Sequence, residues 1–394
     1  MGLSAGLGVS SAPDTEVAVK EAVTAARAKL PEGSAPTIAF VNATVDRDMG
    51  KFSECLAEQL GGVPLHGHTS CASVLDGATI VPNGVGVLLL NTEEGALVSA
   101  AQPLTDSVSP YQAGRKAAQA LVEQMGSAAD VKHVLFTATP GIEDEVMKGV
   151  ESVLGSTPLF GGSAADNTIE GNWNLVTSSA GVFPSGVSLV GVTGRVSFGA
   201  SLVSPYTPSD RSAKITGAEG RRILTLDDRP AAEVLNEWMG GQIETQYKEG
   251  GSIGVECSTF PLAIQKENGS YASLHAAGVN APEGSIDCFA QAEVGQTLTV
   301  MNRDGGKDSV LAASLGLERA YDAAKQKGEI TEPAAGLFIY CGGLSFAVGD
   351  RFEESLAPLK DKVPMIGSTV FGEQGNFDGS NLHCNLAVGV ALFE

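Results

Sequence analysis

The chain has 394 residues, enough for two or three domains each with a core of its own. Lysine and arginine number 25 against 46 aspartates and glutamates, and the formal charge of −21 repels nucleic-acid phosphates and anionic lipid surfaces, which excludes a general nucleic-acid binder. With 18% charged residues and 49 glycines, the composition also excludes a disordered chain and a coiled coil.

The chain opens Met1-Gly2-Leu3-Ser4-Ala5-Gly6, and its first basic residue is Lys20. No basic region precedes an apolar one, so no export signal is expected, and Gly6 stands where a myristoylation motif wants Ser or Thr. A helix of Glu16 to Ala28 is predicted, with Val17, Val19, Ala22, Val23 and Ala26 near one stripe. A strand over Thr37 to Val41 follows, then a stretch of helical length, the loop Val63-Pro64-Leu65-His66-Gly67, and a strand opening on Gly84-Val85. Its apolar run, Val85 to Leu90, falls far short of the roughly 20 residues that cross a bilayer, and a soluble protein is expected.

The same grammar returns twice. A helix over Tyr111 to Met125 leads to a strand Val134 to Ala138, the loop Thr157-Pro158-Leu159-Phe160-Gly161 and a strand from Gly186-Val187. A helix over Val310 to Lys325 leads to a strand Gly336 to Tyr340, the loop Val363-Pro364-Met365-Ile366-Gly367 and a strand from Gly389-Val390. The spacing agrees, with 26 residues from Ile38 to Pro64, 23 from Leu135 to Pro158 and 26 from Phe338 to Pro364. Between the second and third units the pattern loosens: Asp227-Asp228-Arg229-Pro230 opens a short helix through Trp238, and strand-like text from Ile253 carries turns at Glu267-Asn268-Gly269 and Ala281-Pro282-Glu283-Gly284. This stretch reads as a degenerate fourth unit. The fold class predicted is α/β, with mixed sheets and flanking helices built from repeated strand-helix-strand units, in two domains, 1–220 and 221–394.

Gly162, Ser163, Asp166 and Asn167 follow the second Pro-x-x-Gly, where amides beside glycine can approach a ligand and the side chains can hold an ammonium or a carboxylate. The alternative for Asp166 and Asn167 is a tight turn in which they satisfy their own backbone. Glu373 and Gln374 follow the third Pro-x-x-Gly, and Cys341 ends a predicted strand, where α/β proteins present ligand-contacting groups. These loops are expected to face one shared cleft, and the carboxylates among them call for a ligand with a positive group. His66 and His68 lack further ligands at motif spacing, so no metal is expected there. Gly305-Gly306-Lys307-Asp308-Ser309 is no phosphate loop, because Met301 occupies the first glycine position. Neither Gly-x-Ser-x-Gly nor His-Glu-x-x-His occurs, and no catalytic residue is assigned. The six cysteines are scattered without a Cys-x-x-Cys pair, which fits a reducing cytoplasm.

The run Pro158-Leu159-Phe160-Gly161-Gly162-Ser163-Ala164-Ala165-Asp166, then Leu226-Asp227-Asp228-Arg229-Pro230-Ala231, Tyr340-Cys341-Gly342-Gly343 and the stretch Pro364 to Glu373 resemble, in that order, the FIST domain, a sensory module with an N-terminal and a C-terminal half. The resemblance implies a sensor of small ligands such as amino acids that passes its signal onward; some relatives are haem-binding nitric-oxide sensors. The chain departs from the pattern at Cys71-Ala72-Ser73, where a Gly-Glu pair is usual, and at Leu344, where an arginine is common. No kinase, cyclase or F-box segment is recognisable, so the expected partners are a small-molecule ligand and a separate output protein. No cofactor is expected, and the alternatives are a haem sensor or an enzyme using Cys341 or Cys71 as nucleophile.

Overall fold

Several of the long helices begin where short polar side chains cap them. Asp14 accepts the Val17 N–H at 2.9 Å and Asp48 the Lys51 N–H at 3.1 Å. Ser109 and Gln112 form a reciprocal capping box, with Pro110 in the first helical turn. A computed structural model describes residues 2–267, 269–303, 308–377 and 379–394; Asn268 of the predicted turn and Gly305–Lys307 of the glycine-rich stretch lie outside the described residues.

One connectivity occurs three times. In the first pass, β1 (Ser4–Ser10), α1 (Thr15–Arg27), β2 (Ile38–Thr44), α2 (Met49–Leu60) and β3 (Leu65–Ser70) lead to a hairpin of β4 (Ser73–Asp76) and β5 (Thr79–Pro82), and β6 (Val85–Asn91) closes the unit. The second pass runs β7 (Leu97–Pro103), α3 (Pro110–Met125), β8 (His133–Ala138), α4 (Glu143–Leu154), β9 (Leu159–Gly162), the hairpin β10 (Leu175–Thr177) and β11 (Gly181–Phe183), and β12 (Gly186–Val192). The third has β13 (Phe198–Val203), α5 (Ser309–Lys327), β14 (Ala335–Cys341), a short helix α6 (Gly342–Val348), β15 (Met365–Val370), the hairpin β16 (Glu373–Phe377) and β17 (Ser380–Cys384), and β18 (Val388–Phe393). The Pro-x-x-Gly expected as a loop is the start of a strand in all three: its last three residues open β3, β9 and β15, and each of these pairs parallel with the strand before it, which pairs antiparallel with the closing strand.

The hairpins do not stay with their own units. β10–β11 extends the first sheet beside β3, β16–β17 extends the second beside β9, and β4–β5 extends the third beside β15. The exchange closes a ring, so residues from near the N-terminus complete a sheet of the C-terminal part. Inside the ring the sheets share one core in which Phe40, Phe160, Phe198, Ile339, Ile366 and Phe393 pack together, and the helices cover the outer faces. His66 and His68 point into this core, bonded to Ser188 Oγ and Ser368 Oγ at 2.8 Å each. Burial pushes their imidazoles down to about 3 and about 4, so both are neutral at physiological pH. Among the described residues no group of three or more His, Cys, Asp or Glu is placed to hold a metal ion.

The region read as a fourth unit differs. Residues 206–303 form a sheet in which every pairing is antiparallel, inserted between β13 and α5. The physical reason lies in its connections: the turn at Ala281–Gly284 has hairpin length, whereas a parallel pair needs a crossover of about a dozen residues or more. This sheet packs over its own core of Ile215, Leu226, Leu235, Ile264 and Leu298.

The glycine of the repeated loop is a packing requirement. A Cβ on Gly161 would stand 1.7 Å from Phe136 O, one on Gly67 1.9 Å from Val41 O, and one on Gly367 2.2 Å from the Phe338 ring. Gly161→Ala is therefore expected to lower the thermal midpoint by several degrees, in line with about 2 kcal/mol of overpacking. An unchanged midpoint in calorimetry would show that β8 and β9 tolerate the wider spacing.

Candidate functional site

The repeat supplies a control for what the fold needs. In the hairpin paired with the third sheet, Val74 and Leu75 lie opposite Ser368 and Gly367, and Leu75 faces Ile80. In the hairpin paired with the first sheet, Leu175 and Val176 lie opposite His68 and Gly67, and Val176 faces Val182. The hairpin on the second sheet holds Glu373 and Gln374 opposite Gly162 and Gly161, with Gln374 facing His383. All three polar side chains are buried. A packing position filled by apolar residues in two sheets is filled by a carboxyl and an amide in the third, which is where function rather than folding is to be sought.

These groups join a buried network with α4. Gln374 Nε2 donates to Ser163 Oγ at 3.1 Å, and the Ser163 hydroxyl donates to Glu143 Oε1 at 2.8 Å. Glu143 Oε2 accepts the Gly141 N–H and Arg221 Nη2, both at 2.7 Å. The same Nη2 reaches Asp144 Oδ2 at 2.7 Å, and His383 Nδ1 lies 3.4 Å from that oxygen. Burial alone would raise the Asp144 carboxyl, but His383 and Arg221 hold it well below the usual carboxylate range. Arg221 comes from the turn between the insert strands Tyr206–Glu219 and Arg222–Leu226, so this contact ties the insert to the second unit.

Beside the network lies a cavity of about 310 Å³, enclosed by three parts of the chain. The second unit contributes Gly141, Ile169 and Trp173; the insert contributes Arg221, Gly254, Val255, His275 and Phe289. The third unit supplies Cys341, Gly343 and Phe346, then Phe371, Gly372 and Asn385. The walls are largely apolar, and three large hydrophobic side chains in the lining, Ile169, Val255 and Phe346, are also exposed to solvent.

Of the residues expected from sequence, Cys341 stands on the cavity wall. Its Sγ accepts the Leu386 N–H at 3.1 Å, and burial first, then the neighbouring Glu373, pushes the thiol well above its ordinary value. Glu373 Oε2 accepts the Ala387 N–H at 3.1 Å, while Oε1 has no hydrogen-bond partner among the described residues. Burial pushes this carboxyl up to about 8. Gly162 and Gln374 lie in the β9–β16 pairing and Ser163 just past it, its N–H donating to the Gly372 carbonyl at 2.9 Å; none of the three lines the cavity. The Asp166 carboxylate accepts the N–H groups of Thr168, Ile169, Glu170, Gly171 and Asn172, the self-satisfied turn that was the alternative reading. Asn167 is likewise engaged, accepting the Ala72 N–H at 2.7 Å and donating to Asp46 at 2.9 Å. Sequence reasoning raises His275 and His383 only as possible partners of Cys71 or Cys341 in a Cys/His pair, and it does not single out Glu143, Arg221 or Asn385. Aligning the three hairpins residue by residue finds His383 with Glu373 and Gln374, but no sequence signal brings Arg221 to α4.

Comparison with known proteins bears on the whole chain. The FIST N domain model matches residues 37–229 and the FIST C domain model residues 231–376. Uncharacterised proteins of Mycobacterium tuberculosis, in strains CDC 1551 / Oshkosh and ATCC 25618 / H37Rv, are 29% identical over 250 residues, covering 61% of this chain. The match spans 62% of the length of those relatives.

Two outcomes are expected from these environments. The folded protein keeps the Glu373 proton to about pH 8, whereas an unconstrained glutamate releases it near 4.5, so folding takes up a proton between those values and this group makes stability fall as pH rises through that window. Glu373→Gln should flatten the decline of the thermal midpoint between pH 5 and pH 8 and raise it at the upper end; an identical pH profile would refute the assignment. Burial raises Cys71 to about 11, and Cys257 and Cys384 to about 12, with Cys341 also pushed up. Iodoacetamide at pH 7 should therefore modify the native protein far more slowly than the unfolded one. A single cysteine labelled at the unfolded rate would contradict this.

Proposed function

Since the chain belongs to the FIST family, whose domains are sensory, we propose that it is a small-molecule sensor that binds its ligand in the cavity between the FIST N and FIST C parts and signals through a separate output protein. The observation that carries this reading is the enclosure of the cavity by the second unit, the insert and the third unit together. A ligand there touches all three at once. Its volume of about 310 Å³ suits a metabolite of amino-acid size, and its ring-lined walls suit an apolar body. No helix among the described residues is long and apolar enough to cross a membrane.

The reading is one of binding rather than thiol chemistry, because Cys341 is buried and its proton is held. It calls for no haem: His66 and His68 are spent on serine hydroxyls, and His275 Nε2 donates to the Gly254 carbonyl at 2.7 Å.

A metabolite panel screened by thermal shift should contain compounds that raise the midpoint, since a ligand selective for the folded state stabilises it by mass action. Gly254→Phe is the control: a Cβ there has no heavy atom nearer than 3.9 Å, so the backbone accepts it and the ring occupies cavity space. The variant should keep its unliganded midpoint within a few degrees and lose the ligand-induced shift. Shifts that persist undiminished in this variant would place the ligand elsewhere.

A further inference from the structure

The donors and acceptors on the cavity wall define the head group it accepts, an inference that rests on the cavity being the ligand site. The carboxylates of the network do not line the cavity, and the charged side chain that does is Arg221. Among the described residues its side-chain hydrogen bonds come from Nη2 alone, which holds both Glu143 and Asp144; both bidentate edges of the guanidinium include that nitrogen, so what remains unspent is single N–H donation from Nη1 and from Nε. Asn385 is 3% exposed; its Oδ1 accepts the His275 N–H at 3.3 Å, while Nδ2 has no bond to the described residues. Cys341 adds a thiol that keeps its proton. The wall's counterweight, His275, must carry its hydrogen on Nε2 to donate to the Gly254 carbonyl, and its Nδ1 lies against Gly343, 2.9 Å from where a Cβ would stand. The unspent side-chain donors on this wall are those of Arg221 and Asn385, and the one unspent side-chain acceptor among the groups named is the neutral His275 Nδ1, which carries no negative charge to hold a cation.

We propose that the cavity selects a small monocarboxylate with an aromatic or branched aliphatic body, the carboxylate accepting a single charge-assisted bond from Arg221 Nη1 with Asn385 Nδ2 as second donor, and the body against Trp173, Phe289 and Phe371. A hydrogen bond from a guanidinium to a carboxylate is stronger than one to a neutral acceptor. Glu143 and Asp144 on Nη2 weaken the field of the cation and take up both of its bidentate edges, so the preference is expected to be moderate. A cationic head would meet Arg221 and find no carboxylate on the wall, which reverses the ligand charge expected from sequence. The exposed Ile169, Val255 and Phe346 extend the apolar surface out to solvent.

Three probes of one shape test this by calorimetry on the full chain: 3-phenylpropionate, 3-phenyl-1-propanol and 3-phenylpropylammonium. The carboxylate should bind at least about tenfold more tightly than the alcohol, as a charge-assisted bond to Arg predicts, and the ammonium more weakly than either. Asn385→Asp keeps the acceptor for His275 N–H and replaces the donor by an acceptor, so it should remove the carboxylate preference while leaving alcohol binding within about twofold. Arg221→Lys should weaken the carboxylate alone. It retains a cation for Glu143, whereas Arg221→Ala strands a buried charge and is prone to unfold. Alcohol binding without carboxylate preference, or a tighter ammonium, would overturn this inference and leave the cavity reading standing. If none of the probes binds, the cavity reading falls and the inference with it.

Discussion

Each of the three α/β sheets is left open at the strand after its Pro-x-x-Gly loop, and the hairpin that covers that edge comes from another unit. An open edge strand is a hazard to any sheet, and here one edge of each sheet is covered by a hairpin from a neighbouring unit, in a cycle of three. No unit can complete its own sheet, so stability belongs to the ring. The division of the chain into N-terminal and C-terminal parts is consequently one of sequence more than of packing. β4 and β5, from the first unit, finish the sheet built on β14 and β15.

That exchange also explains why one junction is free to diverge. Two of the three hairpins seat Val, Leu and Ile against their host sheets, and these suffice to bury the edge. The third seats Glu373, Gln374 and His383, which must be desolvated and then satisfied. The Ala387 N–H, Ser163 and Asp144 each satisfy one atom of this set, yet Glu373 Oε1, Gln374 Oε1 and His383 Nε2 stay without hydrogen-bond partners among the described residues. A network of this kind contributes less than an apolar seat of the same volume would. It does place Arg221, carried by the insert, against α4 of the second unit at the edge of the cavity, where occupancy and interdomain contact meet.

A sensor must couple occupancy to a change of arrangement, and a ligand can shift an equilibrium only by its differential contacts with the two states. The cavity walls come from the second unit, the insert and the third unit, so a ligand in it touches all three at once. Arg221 is both a wall of the cavity and the ion-pair partner of Glu143 and Asp144. A head group that engages the remaining N–H donors of Arg221 acts on the contact between insert and second unit directly, with no longer path required.

By itself the sequence determined the period of the fold. The spacing from each buried strand to its Pro-x-x-Gly, and the Gly-Val opening of each closing strand, set out elements of the same length in the same order, because a strand, a crossover helix and a parallel strand impose a fixed count of residues. It also led to Cys341, Glu373 and Gln374, since loops at strand ends are where such folds present side chains. Which sheet each hairpin joins, and whether a polar residue faces a ligand or its own backbone, only the tertiary structure decided. Asp166 and Glu373 both look like loop carboxylates in the sequence; one is consumed by five backbone amides and the other is buried beside a thiol. Arg221 shows the same limit from the other side. Its partners on α4 lie 77 and 78 residues away along the chain, and no local pattern encodes a contact made through the packing of the insert against the ring.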